Sequence, residues 1–107
     1  MRKVRYAVAK IEEVVPDCGK IVKIGEEGEC ALFLHEGKYY AVGSICPHQN
    51  ASLENAPARE GQVVCRRHGF CFDLKTGDCR TMGGYGIPVY TVDIEGDTIS
   101  VGVWEYD

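Results

Sequence analysis

The feature that most restricts the fold is rhythm. Apolar residues come in short runs broken by glycine-bearing turns, and no window longer than about ten residues repeats at helical spacing. The runs are "VRYAVAKI" (4–11), "KIVKI" (20–24), "CALFLH" (30–35), "KYYAVGSI" (38–45), "GQVVC" (61–65), "FCFDL" (70–74), "PVYTVDI" (88–94) and "TISVGVW" (98–104). They are rich in valine, isoleucine and tyrosine, which suit a pleated, half-buried surface. The interruptions "GEEGE", "EGK", "KTGD" and "EGD" carry the glycine and acidic residues that hairpin turns favour. About nine short strands are expected, with no repeat and no linker. The class is all-β, an antiparallel β-sandwich or barrel, in a single domain over residues 1–107.

One segment breaks the rhythm. "PHQNASLENAPARE" (47–60) is polar, contains Pro57, and is long for a connection in a compact domain. It lies between two short Cys/His pairs. Cys46 and His48 form C-x-H; sixteen residues later Cys65 and His68 form C-x-x-H. Pro47 stiffens the first pair's turn, and Gly69 lets the chain bend closely after the second. Thiolate and imidazole suit zinc, copper or iron–sulfur centres. A structural zinc usually takes C-x₂₋₄-C with H-x₃₋₅-H, whereas here each loop offers one cysteine and one histidine. That mixture suits a two-iron centre to which each loop gives one ligand per iron. A zinc-stabilised binding module remains the rival.

The motif and its surroundings resemble the Rieske iron–sulfur family. The resemblance rests on "YYAVGSICPH", "CRRHGFCFDLKTG" and the closing "VYTVDIEGDTISV", and covers nearly the whole chain. It implies the Rieske fold, with a small cluster-binding subdomain of two loops at about 44–82. It also implies one [2Fe–2S] cluster, with Cys46 and Cys65 on the inner iron and His48 and His68 on the outer one. Two neutral imidazoles in place of thiolates remove negative charge from around the cluster and raise its potential above that of all-cysteine ferredoxins.

The resemblance implies two departures from the family's high-potential members and one, in the third loop, from its soluble ferredoxins. Their bracing disulfide would fall at Ala51 and Arg67, so it cannot form. Phe70 and Phe72 stand where serine and tyrosine hydroxyls would donate to the cluster sulfurs, which points to a potential at the low end of the range. The third loop, "RTMGGYG" (80–86), has glycines where a proline is expected; Met82 and Tyr85 are its candidates for apolar cover. Arg66 and Arg67, between two ligands, read either as a solvated tip or as a basic rim for an acidic partner.

The implied role is a soluble ferredoxin carrying single electrons from a flavin-containing reductase to a terminal oxygenase, such as an aromatic-ring dioxygenase. The small subunit of an assimilatory NAD(P)H nitrite reductase is the alternative. No enzyme activity of its own is expected: once two histidines are used only His35 remains, and no 2-His-1-carboxylate site is visible. A formal net charge of −4 argues against nucleic-acid or membrane-surface binding. No apolar run approaches a membrane span or a secretory leader, so a cytoplasmic location is expected. In that compartment the other cysteines read as thiols: Cys30 and Cys71 as buried hydrophobes, Cys18 and Cys79 as near-turn residues. His35 reads as a solvated turn residue.

Overall fold

The computed structural model describes residues 2–25, 28–47, 50–66, 69–81 and 83–105. Their strands are β1 (Arg2–Lys10), β2 (Lys20–Ile24), β3 (Gly28–His35), β4 (Lys38–Gly43), β5 (Ile45–Cys46), β6 (Ala51–Ser52), β7 (Ala58–Arg59), β8 (Gln62–Val64), β9 (Cys71–Asp73), β10 (Val89–Glu95) and β11 (Thr98–Glu105). The only helical element among the described residues is one 3₁₀ turn, Ile11–Glu13. The all-β expectation holds. Eleven strands replace the expected nine or so, because β6 and β7 are two-residue pieces inside the polar 47–60 segment.

Six strands form one antiparallel sheet in the order β1-β11-β10-β4-β3-β2. Its end strands β1 and β2 lie against each other, so the sheet curls into a barrel and few edge groups are left open. Between β4 and β10 the chain leaves the barrel. There it builds a two-stranded sheet, β5-β6, and a three-stranded one, β7-β8-β9.

The alternation of β3 explains why this excursion stays in place. Cys30 and Leu32 point into the barrel with Val22, Ala41, Ile99 and Val101. Ala31 and Phe33 point the other way, into a second cluster with Leu53, Ala58, Val63, Phe72 and Leu74. A strand buried on both faces reads as a continuous apolar run, which is how "CALFLH" reads. Phe33 and Phe72 are wholly buried, and each contributes roughly 1.5–3 kcal/mol of transfer free energy.

Backbone hydrogen bonds add to this packing. Gly19 donates to Ala56 O at 2.9 Å and accepts from Asn55 N–H at 2.8 Å. A Cβ on Gly19 would collide with the Leu53 carbonyl oxygen and crowd the Phe33 ring, so only glycine lets the two parts approach this closely. No helix among the described residues is long and apolar enough to cross a membrane.

Candidate metal centre

Two hairpins carry the predicted ligand pairs. In the first, Ile45 pairs with Ser52 and Cys46 with Ala51, so the tip is the 47–50 stretch. Ser44 starts this hairpin. Its carbonyl accepts Leu53 N–H at 2.8 Å, and its hydroxyl donates to Glu29 Oε1 at 3.3 Å. In the second, Cys65 N–H donates to Phe70 O at 2.8 Å and Gly69 N–H to Cys65 O at 2.9 Å. This closes a tip at 66–69, with Gly69 at φ 71°.

Cys46 and Cys65 are each only 1% exposed and belong to the same buried cluster. All six cysteines are thiols. Two buried thiols in one cluster, each next to a Cys/His loop, fit the sulfur half that a Rieske donor set would need. His48 and His68 lie outside the described residues, as do Arg67 and Met82. Among the described residues alone, no group of metal-ligating side chains assembles. Arg66 is exposed.

The surroundings are apolar at the two positions where the resemblance implies hydroxyl donors in high-potential members. Phe70 is 8% exposed and Phe72 is fully buried. The third loop folds back over them. Arg80 N–H donates to Cys71 O at 2.7 Å, Cys71 N–H to the Thr81 hydroxyl at 2.9 Å, and Cys79 N–H to Tyr85 O at 3.2 Å. Thr81 thus ties this loop to β9. Ala51 is half-buried and packs against the core cluster.

The turn after β9 is held by Asp73. Lys75 and Thr76 N–H groups donate to its Oδ1 at 2.7 and 3.0 Å. Burial pushes the Asp73 carboxyl up, but these donors and the charges of Arg80 and Lys75 outweigh it and leave its pKa below the ordinary value. Cys30 lies in the barrel core, in a different buried cluster from Cys46 and Cys65. Burial, with the Glu29 charge adding, pushes its thiol up to about 12, so it behaves as a hydrophobe as expected.

Two expectations need correction. Cys71 is half-exposed, because in β9 the alternation turns Phe72 inward and Cys71 outward. His35 is no solvated turn residue. It is 6% exposed, with Nδ1 at 2.7 Å from Asp17 Oδ1 and Nε2 accepting Gly61 N–H at 2.9 Å. Its position on the Ala31–Phe33 face of β3 was the available signal.

Comparison with known proteins fits this geometry. Residues 4–91 match the Rieske [2Fe–2S] domain, and the chain belongs to that family. It is 31% identical over 93 residues to the 3-phenylpropionate/cinnamic acid dioxygenase ferredoxin subunit of Escherichia coli K12, covering 85% of this chain and 87% of that one. It is 30% identical over 99 residues to human apoptosis-inducing factor 3, covering 92% of this chain; it spans only 16% of that protein's length. Among solved structures, it superposes with TM-score 0.86 on a protein provisionally described as the NADH-dependent nitrite reductase small subunit of Mycobacterium tuberculosis, covering 99% of this chain and 100% of that one at 22% identity. That likeness establishes the fold. Family and relatives together imply one Rieske-type [2Fe–2S] cluster as the cofactor.

Proposed function

We propose that the chain is a one-electron carrier, a Rieske-type ferredoxin without catalytic activity of its own. In this reading residues 44–82 are the cluster-binding subdomain, Cys46 and Cys65 ligate one iron, and His48 and His68 ligate the other. The cluster supplies reversible one-electron chemistry at a raised potential. The chain's own residues hold it. Buried cysteines exclude water from the sulfur side, and Phe70 and Phe72 withhold hydroxyl donors. The observation that carries the reading is the pair of buried thiols at the bases of two loop tips in one core cluster.

Electrons would come from a flavin-containing reductase and pass to a terminal oxygenase, such as an aromatic-ring dioxygenase. The dioxygenase ferredoxin relative, matched along most of both chains, supports this. Arg66, exposed next to a proposed ligand loop, and Arg67 would form a basic rim for an acidic partner surface. A second reading, a nitrite reductase small subunit, is favoured by one observation: the end-to-end structural match with a protein so described.

Anaerobic reduction by NADH and a flavin reductase, followed at the visible band, tests the first reading. Reoxidation on adding a terminal oxygenase and its aromatic substrate supports the carrier. Failure of that step, with stable association to a nitrite reductase large subunit, supports the second reading.

A further inference from the structure

His35 is a buried titratable group that electron transfer does not use, and it ties its own strand to two separate parts of the chain. It ends β3, on the face that packs against the excursion. Nδ1 faces Asp17 Oδ1 at 2.7 Å, in the segment leading to β2. Nε2 accepts Gly61 N–H at 2.9 Å, in the β7–β8 turn. Because Nε2 accepts, the neutral ring carries its proton on Nδ1 and donates it to Asp17. Gly61 in turn accepts Leu74 N–H at 3.0 Å, joining β8 to the end of β9. The same imidazole therefore fastens the barrel to the sheet whose β8 leads into Cys65.

A second acceptor waits beside the ring. Glu36 Oε2 lies 3.4 Å from Nε2. When Nε2 gains a proton it can no longer accept from Gly61; two N–H groups would face each other. The new N–H has the Glu36 carboxylate within reach.

We propose that His35 is a proton-operated latch: neutral, it holds the β7–β8 turn through Gly61; protonated, it transfers Nε2 to Glu36 and releases that turn. The charged groups around it are Asp17 on the Nδ1 side, Glu36 in the β3–β4 turn, Lys38 on β4, Glu60 in the β7–β8 turn and Lys75 after β9, with Tyr40 completing the lining. Glu36 and Glu60 are exposed, and Glu36 is the carboxylate within reach of Nε2. The step takes one proton from solvent and exchanges one hydrogen bond for another, with no covalent change. The latch goes beyond the carrier reading and does not depend on which partner the chain serves.

Hydrogen–deuterium exchange on the cluster-loaded protein tests it, read on a peptide spanning residues 58–64 and corrected for intrinsic exchange. As pH is lowered from about 8 to about 5, protection at Gly61 is expected to fall about tenfold in one step. His35→Gln, which keeps an acceptor near Nε2 and cannot titrate, is expected to lose the step. Glu36→Gln removes the negative charge that stabilises the new proton and is expected to move the step to lower pH. A wild-type protein without the step, a His35→Gln protein that keeps it, or a Glu36→Gln protein stepping at the wild-type pH overturns the proposal. Should His35→Gln fail to fold, the wild-type step and the Glu36→Gln displacement decide.

Discussion

Phe70 and Tyr85 meet edge to face, with ring centroids 6.0 Å apart and planes at 68°. The contact seats the third loop on the residue that follows the second proposed ligand pair, and puts an aromatic surface where the family resemblance implies a hydroxyl in high-potential members. Donors to cluster sulfurs stabilise the added electron, so an apolar substitute lowers the potential. The midpoint is expected near the bottom of the Rieske range, about −150 mV. Voltammetry on the purified protein measures it, and a value above zero contradicts this account. Phe72→Tyr, which returns a hydroxyl, is expected to raise it.

The thiols are predicted to differ in importance although they share a chemistry. Cys46→Ser or Cys65→Ser should lower bound iron and visible absorbance about tenfold or more, since each removes a proposed ligand. His68→Ala is expected to do the same. Cys18→Ser and Cys71→Ser change partly exposed thiols away from that role, and should leave the spectrum intact. Equal losses in both sets would show that the spectrum reports general unfolding.

Gly19→Ala should be costly for a change of one methyl group. The added Cβ meets the Leu53 carbonyl oxygen and the Phe33 ring, neither of which is a flexible end. Overpacking of this kind costs about 2 kcal/mol. Denaturant unfolding of the cluster-loaded variant should show that loss as a lower midpoint with unchanged slope; an unchanged midpoint would mean that the two parts can separate freely.

Alkaline pH is expected to destabilise the fold through the barrel core. Burial raises Cys30 from an ordinary 9.0 to about 12, and burial with the neighbouring Cys30 raises Tyr90 above its ordinary value. Folding therefore favours the protonated forms. That stability is fully present below the unfolded thiol value and is lost as pH rises from about 9 towards about 12, because the unfolded chain has already released the proton. Unfolding free energies measured across this range should fall, and Cys30→Ala should fall less steeply. Identical slopes would assign the alkaline loss to other groups.

The strands were readable wherever the pattern was local. "KIVKI" is β2 residue for residue, and the last two runs became β10 and β11 within a residue at each end. The 47–60 segment was not readable. Leu53, Ala56 and Ala58 are single apolar residues in a polar stretch, with no periodicity to announce them. Their burial comes from distant partners, chiefly Phe33 and the Asp17–Gly19 backbone. His35 was missed for the same reason, since both its partners, Asp17 and Gly61, are far away in sequence. Cys46 and Cys65 were legible as ends of strand-forming runs, and both are buried in one core cluster.

The most direct test is an iron and acid-labile sulfide assay with visible and electron paramagnetic spectra, on protein purified in air. The account predicts a red-brown protein with two irons and two sulfides per chain, as the family's cluster requires, and a reduced-state signal whose average g value lies below that of the free electron. A colourless protein holding a single zinc ion would contradict it.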